Sequence, residues 1–123
     1  MGSYADDALF MSRNNIEYVE LISDDGKSKV MVIPAWQGRV MTTSAAGDEG
    51  DSYGWINYSF IKKRQIDLQF NPVGGEERFW LGPEGGVFSL YFRQGEKQIY
   101  KNWKVPPVLD IEAFKIQSQS KNC

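Results

Sequence analysis

Ionisable and aromatic residues that could bind a ligand are concentrated between residues 71 and 86. This stretch holds three glutamates, an arginine and a tryptophan, bracketed by glycines and prolines. Glycine lets a backbone or a ligand approach closely, whereas proline fixes its own φ and restricts the residue before it. Residues 77–81, between these breaks, are short and aromatic, which is typical of a strand. Such a rigidly held strand suits either a site for a sugar or other small polar ligand, or a tightly packed corner.

The side chains of this strand predict a specific site. Alternation along a strand places Arg78 and Trp80 on one face and Glu77 on the other. Glu84 follows the strand, where a turn can bring its carboxylate over the face of Arg78. The charged groups of Glu77, Arg78 and Glu84 make strong hydrogen bonds to hydroxyls, and an indole ring offers a flat surface to a sugar. We therefore predict a polar pocket floored by Arg78, Trp80 and Glu84; the alternative is an arginine–carboxylate pair that anchors the two turns.

Composition excludes several catalytic and metal-binding chemistries. The chain contains no histidine and a single cysteine, Cys123, so no histidine acid–base group and no cysteine zinc cluster exist within it. Glu76 and Glu77 are neighbours that point to opposite faces of a strand, so they cannot flank one bond as paired glycosidase carboxylates do. The acidic residues between 48 and 51 lack EF-hand spacing and read as a solvated loop. We predict no catalytic residue, no metal site and no cofactor.

Length and charge are those of a single globular domain. The chain has 123 residues, 41% of them hydrophobic and 24% charged, with a formal net charge of −2. Its one basic run, residues 62–64, predicts a solvated turn, so no nucleic-acid partner is expected. No apolar run reaches the roughly 18 residues of a membrane span, so no membrane partner is expected either. The four tryptophans are either stacking surfaces for sugar rings or core side chains, at Trp36, Trp55, Trp80 and Trp103.

Local patterns predict the elements that would position these residues. A cap at Ser3 and an acidic first turn predict a helix over 4–12, and turn residues at 24–27 predict a hairpin over 16–33. The further expected elements are a third strand at 40–44, a loop at 45–52, a short helix at 53–61, and strands at 65–71, 87–92 and 111–117, the clearest alternation being at 65–71. The predicted fold class is mainly β, an antiparallel β-sandwich with one or two short helices.

Three stretches in the same order carry a family resemblance: residues 33–41, 53–58 and 74–86, which read IPAWQGRVM, YGWINY and GGEERFWLGPEGG. They resemble a bacterial family, common in Bacteroides, with the fold of galactose mutarotase (aldose 1-epimerase). The resemblance implies a large antiparallel β-supersandwich that binds sugars on a concave face. It also implies that this chain corresponds to the N-terminal third of that domain, in a bacterial cytoplasm or periplasm.

The resemblance implies sugar binding without catalysis. A histidine and a glutamate do the acid–base work in aldose epimerases, and that pair has no counterpart in a chain without histidine. Asn57, Arg39 and Arg78 are the candidates for the sugar-positioning asparagine and arginine of those enzymes. The expected function is therefore that of a carbohydrate-binding protein, or a fragment of a carbohydrate-active one, with a sugar as its ligand. The alternative hypothesis is a small β-rich protein-interaction domain without a sugar site. A complete hydrolase is the third hypothesis.

The fragment interpretation also predicts self-association. Strands at 87–92 and 111–117 would lack neighbours on at least one side, and unpaired strand edges pair with other chains. Apolar faces made for missing strands would be exposed as well.

Overall fold

The computed structural model, which describes residues 2–121, contains one sheet and several short helices. Helix α1 (Tyr4–Arg13) precedes three antiparallel strands, which lie side by side in the order β1 (Val19–Ile22), β2 (Lys29–Ile33) and β3 (Arg39–Ser44). The remaining elements are helices α2 (Tyr58–Lys62) and α3 (Pro107–Asp110), and single 3₁₀ turns at Pro34–Trp36 and Tyr100–Asn102. The predicted mainly β class with short helices is confirmed. None of the helices within residues 2–121 is long and apolar enough to span a membrane.

Helix α1 begins where the sequence predicts, because Ser3 and Asp6 cap it reciprocally. The Ser3 hydroxyl accepts a hydrogen bond from the Asp6 amide at 3.2 Å, and the Asp6 carboxylate accepts one from the Ser3 amide at 3.1 Å. Two donors that a helix start leaves unpaired are thereby satisfied. The buried face of the helix packs against the sheet through Tyr4, Phe10 and Met11.

The predicted hairpin and third strand are also confirmed. Strand β1 pairs with β2 in the register Val19–Val32 to Ile22–Lys29, and β2 pairs with β3 from Lys29–Ser44 to Ile33–Arg39. The core of the sheet consists of side chains that are fully shielded from solvent: Met31, Ile33 and Met41. The 3₁₀ turn between β2 and β3 ends at Gln37, a non-glycine residue with φ 60°. Such a conformation persists only where surrounding contacts hold it.

A buried carboxylate joins α1 to the sheet and to α2. The Asp7 carboxylate accepts hydrogen bonds from the hydroxyls of Ser52 and Tyr58, and Ser52 in turn pairs with Thr42 on β3. Burial raises the pKa of the Tyr58 phenol, with the hydrogen bond to Asp7 as a second cause. Tyr58 therefore stays protonated and continues to donate to Asp7. The first 60 residues are thus a helix–sheet unit tied by polar contacts as well as by its apolar core.

The C-terminal half is built around a second, aromatic core. Tyr91, Val105 and Leu109 are buried, with partly buried rings packed around them. Tyr91 stacks on Trp80 at 5.1 Å and on Trp103 at 5.9 Å between ring centres. Aromatic contacts of this kind contribute about 0.5–1.5 kcal/mol each beyond the burial of area. They hold together chain segments that no strand ladder connects.

The predictions of strands at 65–71, 77–81, 87–92 and 111–117 are wrong, since none of these segments is a strand in the structure. A strand needs a neighbour to satisfy its backbone, and here side chains take that role. The Asp67 carboxylate accepts the amide hydrogen of Gln69 at 2.7 Å, which bends the segment most regular in alternation. Its apolar side chains are consequently exposed, with Ile66 at 68% and Leu68 at 66% of full accessibility. Alternation along one segment says nothing about whether a partner strand is present.

The predicted helix at 53–61 is shorter and starts later. Asn57 caps it, because its side-chain oxygen accepts the Phe60 amide hydrogen at 3.2 Å. The preceding residues instead lie against the edge of β3, where the Tyr53 amide donates to Thr43 O at 3.1 Å. Residues 53–56 are therefore extended along the sheet rather than helical.

Gly54 allows this close approach to β3. A Cβ added at Gly54 would lie 2.0 Å from the carbonyl oxygen of Met41 and 2.9 Å from Thr42 Cα. Both of these atoms belong to the backbone of β3. By contrast, a Cβ added at Gly82 would meet no atom within 4 Å. Of these two positions, only residue 54 must be glycine for the chain to pack in this way.

We therefore expect Gly54→Ala to lower the free energy of unfolding by about 3 kcal/mol or more, since backbone atoms cannot move aside as flexible side chains do. Gly82→Ala is the matched control and should change stability by less than about 1 kcal/mol. Urea unfolding followed by circular dichroism measures both. Equal effects of the two substitutions would contradict the packing of residues 53–56 on β3.

Candidate functional site

The structure brings together the three residues of the predicted pocket floor. The guanidinium carbon of Arg78 lies 4.4 Å from the centre of the Trp80 ring. The indole nitrogen of Trp80 donates a hydrogen bond to Glu84 Oε1 at 2.6 Å. The spacing of these residues in the sequence therefore predicted a real contact group, although the segment is not a strand.

The groups of this floor are largely occupied by the protein itself. Besides Arg78, the Trp80 ring contacts Tyr91, stacked at 5.1 Å, and Phe70, edge-on at 6.5 Å. Arg78 Nη2 donates to the carbonyl oxygen of Leu109 and to Asp110 Oδ1, the latter at 3.2 Å. The arrangement has the features of the anchoring pair that was the alternative interpretation, but the partner carboxylate is Asp110 instead of Glu84.

The other predicted ligand-binding residues lie apart from this group, with one exception. Glu77 is exposed, and its carbonyl oxygen accepts a hydrogen bond from the Val40 amide at 3.0 Å. Asn57 caps α2 and donates through Nδ2 to Pro72 O at 2.9 Å. Arg39 is the exception, because it is buried next to Asp110 and so shares a carboxylate with Arg78.

Asp110 is the centre of this polar cluster. Its Oδ1 lies 3.2 Å from Arg78 Nη2 and 3.8 Å from Arg39 Nη2. Its Oδ2 accepts hydrogen bonds from the backbone amide and the side-chain amide of Asn71 at 2.7 and 2.9 Å. The cluster therefore joins four distant parts of the chain: the start of β3, residue 71, residue 78 and the end of α3.

Sequence reasoning missed Asp110 and Asn71. A signal for Asp110 was present, because it is the lone charge in the run VPPVLDI at residues 105–111. A carboxylate inside an apolar run is buried only when it has partners. Asn71 gave no comparable signal, since an asparagine before a proline is ordinary turn chemistry.

The cluster holds more positive than negative charge. Two guanidinium groups share one carboxylate, and the Nε atoms of both Arg39 and Arg78 have no hydrogen-bond partner within residues 2–121. Burial and the neighbouring positive charge of Arg78 lower the pKa of Arg39 to about 10, against the opposing effect of Asp110. Arg39 is therefore still protonated at neutral pH, but its charge is incompletely compensated.

A cavity of about 420 Å³ opens beside this cluster. Its wall comes from the end of α1, the turn after β2, the end of α2, and the residues around Asp110. Its polar and aromatic lining includes Asn14, Trp36, Arg39, Arg64, Gln65, Asn71 and Asp110. Indole, guanidinium, amide and carboxylate groups thus meet at one concave surface.

The other candidate residues from the sequence analysis are the four tryptophans and the acidic residues between 48 and 51. Trp55 is exposed, and Trp80 and Trp103 belong to the aromatic core, so Trp36 is the tryptophan that lines the cavity. In the acidic loop, Asp48 pairs with Lys29 at 2.7 Å. In the part of the chain that the structure describes, no group of three or more acidic or cysteine side chains could hold a metal ion.

A family model matches residues 2–123, and its description is a family of unknown function, DUF6786. The chain belongs to this family. Neither a curated protein nor a solved structure matches the chain. For a DUF6786 protein, the site geometry is therefore the main physical basis for a functional hypothesis.

In this DUF6786 chain, we expect Asp110→Asn to lower the free energy of unfolding by about 3–5 kcal/mol, because two buried guanidinium groups lose their shared anion. Glu84→Gln is the matched control. Its amide oxygen can still accept from Trp80, and the exposed site should lose about 1 kcal/mol or less. Thermal and urea unfolding measure both variants. Similar small losses in the two would show that Asp110 does not organise the cluster.

Proposed function

We propose that this chain binds carbohydrate in the cavity beside Asp110, as a non-catalytic part of a carbohydrate-active protein of the galactose mutarotase-like class. The observation that carries the proposal is the cavity lining, in which Trp36 lies near the side chains of Arg39, Arg64 and Gln65. Sugar rings present apolar C–H faces and hydroxyls together, so they need a flat aromatic group and fixed hydrogen-bonding groups. The volume of about 420 Å³ falls within the roughly 300–1,000 Å³ of small-ligand pockets.

The turn that carries Trp36 supports this use of the indole. Trp36 ends the 3₁₀ turn that begins at Pro34, and Gln37 follows with φ 60°. The Gln37 side-chain amide donates to Glu112 O at 2.9 Å, and the Phe114 amide donates to Pro34 O at 2.9 Å. Both contacts fix the turn against residues 112–114, and a preorganised aromatic group loses little entropy when it binds.

The cavity rim offers polar groups that the protein does not use. The side chains of Arg64 and Gln65 make no hydrogen bond to other side chains or backbone within residues 2–121. Arg64 has φ 52°, an uncommon conformation for a non-glycine residue. This conformation is common for the residue after the C-cap of a helix, so the support for a role of the basic run at 62–64 is the exposed position of Arg64 on the cavity lining.

The proposed fold relationship rests on the exposed apolar side chains of the C-terminal half. Val87 and Phe88 are 88% and 83% exposed, and Leu68 and Ile66 are exposed as well. Exposed apolar side chains of this size would be covered if further chain segments, such as the remaining strands of a larger antiparallel supersandwich, packed on them. We assign no reaction to this chain, because it contains no histidine for the acid–base pair of the aldose epimerases.

Isothermal titration calorimetry with glucose, galactose and their uronates tests the site. We expect Trp36→Ala to weaken the binding of the sugar that binds most tightly by about tenfold, or about 1.4 kcal/mol, because the stacking surface is lost. Trp55→Ala removes an exposed indole outside the cavity and is the control, with an affinity within about twofold of the parent. Thermal unfolding verifies that both variants are folded. The absence of saturable binding for all four sugars would contradict the proposal.

A second candidate function, protein interaction or self-association, is favoured by the same exposed residues. Large apolar side chains at this exposure are uncommon on monomers unless they mark an interface. The most exposed of them are Val87, Phe88 and Tyr100.

If these residues mediate self-association, sedimentation velocity should show oligomers whose fraction rises with protein concentration. The double substitution Val87→Lys with Phe88→Ser should shift the distribution to monomer, because it places charge and polarity on the contact surface. Leu9→Ser, at a half-exposed position on α1, is the control and should leave the distribution unchanged. A monomer at all concentrations would count against this candidate.

A further inference from the structure

The cavity wall carries an excess of positive charge. Its ionisable side chains are two arginines and one aspartate, Arg39, Arg64 and Asp110. Arg78 reaches the same carboxylate from behind the wall, at 3.2 Å from Asp110 Oδ1. Two guanidinium groups, those of Arg39 and Arg78, therefore face a single carboxylate, and a third, that of Arg64, lines the same cavity.

The single negative charge of Asp110 is shared between Arg78 and Arg39. Its Oδ1 is closer to Arg78 than to Arg39, at 3.2 against 3.8 Å. Its Oδ2 is occupied by the two amides of Asn71 at 2.7 and 2.9 Å. The distance from Arg39 Nη2 to Asp110 exceeds that of a hydrogen bond, so this pair is an electrostatic contact alone.

Arg39 retains donors that the protein does not satisfy. It is only 3% exposed, its Nη1 donates to Gly74 O at 2.9 Å, and its Nε has no partner within residues 2–121. A buried charged donor without an acceptor is unfavourable, and such groups call for an explanation when they line a cavity. Burial, followed by the positive charge of Arg78, lowers the pKa of Arg39 to about 10, although the nearby Asp110 carboxylate acts in the opposite direction.

We infer, on the basis of the proposed carbohydrate site, that its ligand is an anionic sugar whose carboxylate or phosphate pairs with Arg39 and Arg64. A guanidinium fork matches both oxyanions geometrically. A neutral sugar would place hydroxyls against Arg39 and leave the excess charge in place. An anionic sugar compensates that charge, while its ring lies against Trp36 on the same wall.

The test is calorimetry at pH 7 and low salt with galacturonate, galactose, galactose 6-phosphate, glucuronate, glucose and inorganic phosphate. We expect at least one uronate or sugar phosphate to bind about tenfold or more tightly than its neutral parent, since hydrogen bonds between charged groups are about twice as strong as those between neutral groups. Whichever of the uronate and the sugar phosphate binds more tightly shows whether the site prefers a carboxylate or a phosphate. The preference should shrink as salt is raised.

Two substitutions link the preference to the cavity. Arg39→Lys keeps a positive charge beside Asp110 but removes the fork, and should weaken anionic-sugar binding about tenfold. Arg64→Gln lies at an exposed position and should weaken it about threefold, with no change for the neutral sugar. Arg93→Gln removes the same net charge elsewhere and is the matched control. If Arg39→Lys does not fold, the affinities of Arg64→Gln and Arg93→Gln for the anionic sugar are compared instead, and a larger loss in Arg64→Gln supports the inference.

The outcomes separate this inference from the proposed function. Equal affinity for neutral and anionic sugars would overturn the inference and leave the carbohydrate site standing, whereas binding of neither would overturn both. Equal losses in Arg64→Gln and Arg93→Gln would overturn the inference, because the preference would then reflect net charge alone. Inorganic phosphate binding as tightly as galactose 6-phosphate would also overturn it, since the sugar would contribute nothing.

Discussion

The structure depends above all on one buried carboxylate, that of Asp110. It faces Arg39 at the start of β3, Arg78 after the glycine pair, and both amides of Asn71. Removing a buried charge from its partners is unfavourable, so the cluster is stable only when all of these segments are in place together. Asp110 thereby couples the N-terminal sheet to a C-terminal half that shares no strand with it.

This coupling explains how the described residues after Ser44, which form no strand ladder, keep a defined arrangement. The aromatic core around Tyr91 supplies burial, and side-chain acceptors such as Asp67 satisfy backbone amides that a sheet would otherwise pair. Such an arrangement buries less apolar surface than a complete sheet does. The exposure of Val87 and Phe88 is the consequence, and it makes this half the natural place for contacts with further strands or another chain.

The anchoring contacts and the proposed ligand site share the cluster around Asp110. The face of Asp110 towards Arg78 and Asn71 is satisfied, whereas the face towards Arg39 is not. The unsatisfied face lies on the cavity wall that Trp36 also lines. In the proposed site, the contacts of Asp110 with Arg78 and Asn71 hold the fold, and the unpaired donor of Arg39 is available to a ligand. Binding would then need no change in the fold, because the binding groups are already in place.

Local signals in the sequence were sufficient for part of the candidate site. The spacing of Arg78, Trp80 and Glu84 predicted their contact, because residues two apart share a face of an extended segment and the turn residues before Glu84 can bring its carboxylate back to that face. The partner of Arg78 was not predictable in this way, since Asp110 lies 32 residues away in the chain. Arg39 entered as a candidate only through a family resemblance, and its burial beside the same carboxylate is a tertiary feature.

The sequence by itself determined helix α1, the hairpin and β3, because capping residues, turn residues and pairing between adjacent segments act over a few positions. It also excluded histidine chemistry by composition alone. Only the tertiary structure decided that residues 65–71 and 87–92 are not strands, since alternation describes one face of a segment and not the presence of a partner. Likewise, only the tertiary structure decided that the cavity carries an excess of positive charge, because that depends on how Arg39 and Arg78 share Asp110 in space.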